Sequence, residues 1–496
     1  MSREVLRRIG EALWTTFYWR ETAAKHQRNT TSVDLSRQSA RGTSAGRPRG
    51  KGRSDLDTGD TAWVLASCAL VLFMTPGLAL FYGGMVRSKN VLGTLMHSFF
   101  AMGLMSILWV LVGYTLAFGP DVGGLIGGLD FAGFSGVSSD SAHPAGLGAT
   151  IPHSLFALFQ MMFAIITPAL ITGAFAERIK FSGYIAFMSL WLLFVYAPVA
   201  HWVWHPEGWL FKLGALDFAG GTVVHINAGM AALAAIIVIG KRKGFGKEAF
   251  VPHNLTLTIL GTGILWFGWF GFNAGSALGA NGLAASAFLA TNLGAAGGAV
   301  GWALVESRKD RKATTLGVAS GAVAGLVAIT PAAGFVGPMG AIAIGLLGGI
   351  VCSKAVSLKF RFGYDDSLDV VGVHMVGGIV GALATGIFST VAINEFGADG
   401  LLAGGGLTLM GKQVVAVGAT LAFAFTLTIV IAKLVDATIG LRVTEDDEVT
   451  GLDLSQHSEV GYSLFESSGS SMSHAVTQAS ASPASSAVRV TQGGEA

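Results

Sequence analysis

Eleven apolar stretches separated by polar segments run through the chain. They fall at about 61–83, 92–118, 153–176, 181–200, 222–240, 255–274, 283–305, 314–331, 338–357, 370–391 and 412–434. Each approaches the roughly 20 residues that an α-helix needs to cross a bilayer. The pattern predicts an all-α polytopic membrane protein with eleven transmembrane helices. Before the first stretch, residues 1–57 are polar and hold twelve Lys or Arg. They read as a basic disordered arm. After the last, residues 440–462 are polar and acidic, and 463–496 form a Ser/Ala-rich tail of low complexity. The domain division is therefore 1–57, 58–439, 440–462 and 463–496.

Two histidines interrupt the apolar pattern. His225 lies in the run Thr222–Ile239, and His374 lies in VVGVHMVGG. Both occur as Val-His-x-x-x-Gly, with Gly229 and Gly378 closing the motifs, and they stand 149 residues apart. An ionisable group inside a membrane span is costly and marks a functional site by default. The matched pair predicts a duplicated fold in which one histidine from each half meets its counterpart near the midplane. The alternative is two unrelated core histidines bonded to backbone carbonyls.

Charge sets the orientation. One set of connecting loops carries Arg87, Lys89, Arg178, Lys180, Lys241, Arg242, Lys243, Lys247, Arg308, Lys309, Arg311, Lys312, Lys354, Lys359 and Arg361. The other set carries only Lys212 and Lys412. The positive-inside rule makes the first set cytoplasmic. With eleven spans, the N-terminus is then outside and the C-terminus inside. The basic arm argues the other way, and the conflict predicts that the true start lies beyond it. A peptide from residues 1–50 in the mature membrane protein would refute that expectation.

Composition agrees with the pattern. Hydrophobic residues make up 52% of the 496 positions and charged residues only 12%, against about 25% charged in soluble domains. Of the 62 charges, residues 1–60 hold 19 and 441–496 hold 10. The 70 glycines suit close helix packing. Cys68 and Cys352 lie in apolar runs without metal-ligand spacing, so neither a metal nor a disulfide is expected. The net charge of +2 gives no reason to expect a nucleic-acid partner. No phosphate-binding loop or enzyme motif is present, and no cofactor is implied.

Several longer motifs carry a resemblance. LFYGGMVRSKNVL (80–92), GAFAERIKFS (173–182), ALDFAGGTVVHINAG (215–229) and IGKRKGFGKEAFVPHNL (239–255) form one set. WFGFNAGSA (269–277), DDSLDVVGVHMVGGIVG (365–381) and GLRVTEDDEVTGLDLSQHSE (440–459) form another. Together they resemble the ammonium transporter / methylammonium permease / Rhesus family, most of all its bacterial ammonium transporters. The likeness covers roughly residues 58–462 in collinear order. It implies a homotrimer with one hydrophobic pore per protomer, two inverted five-helix repeats and a final helix wrapping the outside. It also implies a C-terminal tail that docks across protomers and a PII-type signal protein that plugs the cytoplasmic exits. From the residues alone, Asp446, Asp447 and Glu448 read equally well as a solvated acidic run.

The resemblance assigns roles. Phe159, Trp204 and Ser276 correspond to an external ammonium site, although the loop after Trp204 is one residue longer than the family pattern and Trp202 and Trp209 lie nearby. Aromatic rings attract a cation by ~0.5–2 kcal/mol per contact, and a serine hydroxyl accepts a hydrogen bond. Phe163 and Phe272 correspond to a gate. His225, His374 and Trp269 line the pore below it. On helical spacing alone these aromatics read as core packing, and it is the resemblance that gives them these roles. Asp217 precedes the span of His225, where it caps the helix or favours the cation and its deprotonation. Asp369, five residues before His374, takes the analogous position. The implied mechanism is recognition of ammonium, loss of its proton, and passage of ammonia, with the proton following. Potassium and sodium cannot shed a proton and are rejected. Two alternatives remain: a Rhesus-like electroneutral channel for ammonia or carbon dioxide, and an ammonium sensor.

Overall fold

The computed structural model describes residues 56–462. The basic arm and the Ser/Ala-rich tail lie outside the described residues, except for positions 56 and 57. All eleven predicted spans are helical. In chain order they are α1 (Thr58–Met85), α2 (Ser88–Phe118), α3 (His153–Ile171), α4 (Phe181–Leu213), α5 (Gly221–Ile239), α6 (Leu255–Ala277), α7 (Gly282–Lys309), α8 (Thr315–Ile329), α9 (Pro338–Phe362), α10 (Val371–Phe388) and α11 (Thr408–Thr438). Ten are long and apolar enough to cross a membrane, and α8 is shorter at 15 residues. A two-stranded hairpin, β1 (Asp121–Val122) with β2 (Ile126–Gly127), follows α2.

Two boundaries differ from the sequence pattern for local reasons. Helix α3 stops at Ile171, not 176. The carbonyls of Gly173 and Ala174 are taken by the N–H groups of Leu368 and Ser367, so the chain there bonds to the other half instead of continuing its own helix. Helix α4 runs past residue 200 through a wide π-type turn at Leu192–Tyr196 and breaks after Trp204, where His205 is extended. It resumes as the short segment Trp209–Leu213, which ends at Gly214, whose φ of 82° only glycine adopts readily.

The helices form two five-helix units, α1–α5 and α6–α10, with α11 laid across α4, α5 and α10. Five crossings is an odd number, so the second unit enters the membrane from the opposite side and the repeats are inverted. Equivalent helices meet: α1 packs along α6, and α5 crosses α10. The second crossing explains the motif glycines. A Cβ on Gly229 would lie 2.6 Å from the Met375 side chain, and one on Gly378 would lie 2.9 Å from Ile226. Each glycine, four residues beyond its own histidine, seats against the residue that follows the other histidine. Helices α7 and α8 approach as closely, since a Cβ on Gly298 would collide with the Gly321 carbonyl.

Candidate functional site

The two histidine-bearing helices share an opening. Asp217 Oδ1 accepts the N–H groups of Gly220 and Gly221 at 2.8 and 2.6 Å. Its Oδ2 accepts Thr222 N–H at 2.7 Å, Val223 N–H at 3.3 Å, and the Thr222 hydroxyl. Both carboxylate oxygens are therefore committed to the orphan donors of the first turn. That turn, Gly221–Ile226, is a π-type turn, with His225 N–H bonded to Gly220 O at 3.0 Å. The second half repeats it at Val371–Met375. Such wide turns rotate a side chain out of the α-helical register and cluster at functional sites.

The capping carboxylate of the second half is Asp366, and here the sequence expectation needs correction. Asp366 accepts the N–H groups of Val370 and Val371 at 3.1 and 2.7 Å. Asp369 instead sits at φ 64° and its carboxylate pairs with Lys359 at 2.7 Å. Spacing carried the signal: His225 follows Asp217 by eight residues, and His374 follows Asp366 by the same eight.

The histidines meet. His374 Nδ1 lies 3.3 Å from His225 Nδ1, and the rings stack at 16° with centroids 5.4 Å apart. For a hydrogen bond at that distance one Nδ1 must carry a proton and the other must accept it, so the two rings would be in opposite tautomers. His225 Nε2 is buried and has no protein partner. Trp269 stacks on His225 with centroids 5.4 Å apart, and its indole N–H is fixed by the Thr330 hydroxyl at 2.9 Å. A narrow cavity of about 10 Å³ runs along this pair, lined by His225, His374, Trp269, Phe272 and aliphatic side chains.

Phe163 and Phe272 lie beside it, their centroids 4.6 Å apart. A wider cavity of about 100 Å³ lies on the far side of these rings. Phe159, Phe163, Trp204, Ser276, Gln160, Phe118 and Phe218 are among the residues that line it. The Ser276 hydroxyl donates to the Phe272 carbonyl at 2.8 Å, which leaves its lone pairs free to accept. Trp204 N–H donates to the Asp217 carbonyl at 3.1 Å, tying this wall to the capped helix. Trp202 faces away, its ring tilted at 55° against Phe423 with centroids 4.5 Å apart. Gln160, Phe118 and Thr330 were not singled out in the sequence; Gln160 sits beside Phe159 in a run where nothing marks it as more than a polar core residue.

At the opposite end of the molecule lies a buried ion network. Arg242 bonds both oxygens of Asp365 at 2.9 Å and reaches Glu177 at 3.0 Å, which also pairs with Arg87 at 3.0 Å. Burial raises the Glu177 and Asp365 carboxyls, but the surrounding arginines overcome it and hold both below the usual range. Burial lowers Arg178 to about 10, still cationic near neutrality. The acidic tail folds onto this network within the same chain. Glu448 is buried, pairs with Arg442 at 2.7 Å and accepts the Lys243 N–H at 2.6 Å. Asp447 closes a capping box with Thr444, and Asp453 accepts Gly93 N–H at 2.8 Å.

Comparison with known proteins agrees with this arrangement. The profile of the Ammonium Transporter Family matches residues 62–462. An ammonium transporter of Bacillus subtilis is 55% identical over 408 residues, 82% of this chain and 99% of that one. Ammonium transporter Amt1 of Archaeoglobus fulgidus is 48% identical over 407 residues, 82% of this chain and all of that one. Among solved structures, Mep2 of Saccharomyces cerevisiae superposes with a TM-score of 0.74 at 37% identity, over 79% of this chain and 89% of that one. A sensor Amt protein does so at 0.72 and 30% identity, over 80% and 98%.

Proposed function

The chain belongs to the Ammonium Transporter Family, and from that premise we propose how it moves ammonium across a membrane. Its relatives are transporters and not enzymes. The cation is recognised in the wider cavity by the rings of Phe159 and Trp204 and the lone pairs of Ser276. At the Phe163–Phe272 gate it gives its proton to the unpartnered ring nitrogen of His225 beneath, because a bare charge in the narrow apolar cavity costs many kcal/mol. Ammonia then passes the histidines, whose unpartnered His225 Nε2 offers it a hydrogen bond. The contact between the two imidazoles at 3.3 Å carries this reading, since it gives the released proton a relay through an otherwise apolar passage. The bonds around Asp217 support a structural role for its carboxylate: it orients the helix of His225 and takes no proton itself.

A neutral-gas channel of the Rhesus kind needs no cation site, and the aromatic cavity with its free serine acceptor favours ammonium. Addition of ammonium to proteoliposomes tests the reading. An inward current with ammonium and none with potassium is expected; uptake of ammonia without current would overturn the proton relay.

The orientation follows the loop charges. Asp57 N–H bonds Thr150 O at 2.8 Å, so the start of α1 sits among the sparsely charged loops on the side of the wider cavity, which is outside. The tail and the basic loops are cytoplasmic. There they offer a surface for a PII-type signal protein. Apolar surface between α6 and α7, with Trp63, Phe270 and Phe288 around a groove of about 650 Å³, is suited to burial in a homotrimer.

A further inference from the structure

We propose that His201 is a positioning residue for the external ammonium cavity: doubly protonated, it clamps the end of α2 to Asp121 and so braces two of the cavity's walls. The inference rests on the recognition role given above to that cavity.

His201 is fully buried on α4, yet each of its ring nitrogens faces an acceptor. Nδ1 lies 2.8 Å from the Ala117 carbonyl, and Nε2 lies 2.8 Å from Asp121 Oδ1. A carbonyl only accepts, and an ionised carboxylate only accepts. The Asp121 carboxyl is held below its usual range: burial raises it, but the His201 contact and the Gly124 N–H lower it further. Both imidazole nitrogens must therefore carry protons. The neighbouring His143 shows the contrasting pattern. Its Nδ1 accepts Ala145 N–H at 3.0 Å while its Nε2 donates to Phe118 O at 3.0 Å, which is the inventory of a neutral ring. His205 stacks on His201 with centroids 4.5 Å apart, and its Nδ1 accepts Glu207 N–H at 3.1 Å. Glu207 itself is paired with Lys212 at 2.5 Å, which leaves Asp121 as the counter-ion of His201.

The placement gives the pair its role. Ala117 and Phe118 end α2, and Phe118 lines the cavity. Trp204, another wall, is three residues beyond His201 on the same helix. A cation at the C-terminus of α2 is favoured by the helix dipole. The second bond, to Asp121, holds the first strand of the hairpin over the same end. Without it, the walls are joined through the hairpin only by the bonds from Trp202 to Leu125 O and from Trp209 N–H to Gly124 O, which hold its far end.

The test combines nitrogen-15 NMR of the histidine side chains with ammonium-evoked currents in proteoliposomes. In the wild type at neutral pH, one histidine whose signals move in Asp121→Asn should show both nitrogens protonated. A singly protonated ring there overturns the inference, and so does a wild-type spectrum in which no histidine has both nitrogens protonated, a result that needs no variant to fold. Asp121→Asn and His201→Phe should each raise the half-saturating ammonium concentration several-fold with the maximal current little changed, and the double variant should be no worse than the singles. Loss of maximal current at unchanged half-saturation would contradict a positioning role at this cavity. Trp204→Ala separates the two claims. If it raises half-saturation while Asp121→Asn does not, the inference fails alone; if it does not, the recognition reading beneath it fails.

Discussion

Gly229 seats against the backbone of Met375, and Gly378 mirrors it against Ile226, so each histidine helix is fitted to the turn that follows the other's histidine. The closeness of this crossing sets the distance between the two imidazoles. Gly229→Ala has no room for its methyl and should push α5 from α10. Overpacking of this kind commonly costs ~1–3 kcal/mol. We expect a lower melting temperature in detergent and a transport loss larger than that of Gly418→Ala on α11, where a Cβ meets nothing within 4 Å. Equal effects at the two positions would mean that the crossing is not critical.

The capping carboxylates give a second prediction. Asp366→Ala leaves two buried N–H groups of α10 without an acceptor and should cost about 1–2 kcal/mol. Asp369→Ala removes a part-exposed pair with Lys359, worth about 0–1 kcal/mol. Thermal unfolding of the two variants should rank Asp366→Ala as the less stable. The reverse order would restore Asp369 as the cap.

The gate residues give a third. Phe163→Ala and Phe272→Ala should alter ammonium current and admit larger cations, while size-exclusion chromatography still shows the wild-type assembly. Loss of a ring from a dense core costs ~3–5 kcal/mol, but these rings stand between two cavities. Collapse of the assembly in both variants would show them to be core residues.

A fourth concerns the cytoplasmic network. Arg242→Met removes the bidentate partner of Asp365 and one of the two arginines on Glu177, leaving Asp365 only Arg178 at 3.9 Å and Glu177 only Arg87. Breaking such a buried pair typically costs ~3–5 kcal/mol. Both carboxyls lie below their ordinary values, so their contribution is complete above the unfolded value of about 4 and is lost as pH falls through the folded one. The wild type should lose stability on acidification below about pH 4. The variant should be less stable at neutral pH and show less of that acid loss, as measured by melting temperature against pH. Parallel curves would remove the network from the account.

Much of this was legible in the sequence for physical reasons. A run of about 20 apolar residues has few alternatives to a span, so all eleven helices were found. Matched contexts singled out His225 and His374 because ionisable groups in such runs are rare. Asp366 was missed because DDSLD offers three carboxylates and nearness to His374 favoured Asp369; the shared spacing of eight residues was the better guide. The π-type turns left no trace, since apolar composition does not distinguish 3.6 from wider turns. Composition could not separate Glu448 from Asp446 and Asp447 either. Its burial depends on Arg442 and the Lys243 N–H, which approach from segments an acidic run does not reveal.

The most direct test of the central claim is ammonium-evoked current, with potassium current alongside, in proteoliposomes holding His225→Ala, His374→Ala and the double variant at equal protein density. Each single change leaves the other imidazole without its partner at 3.3 Å. Each should therefore lose most ammonium current or most selectivity against potassium, and the double variant should be little worse than either. His225→Glu, which keeps an exchangeable proton, should retain more activity than His225→Ala. Single variants that transport like the wild type, or losses that simply add in the double, would contradict a proton shared between the two histidines.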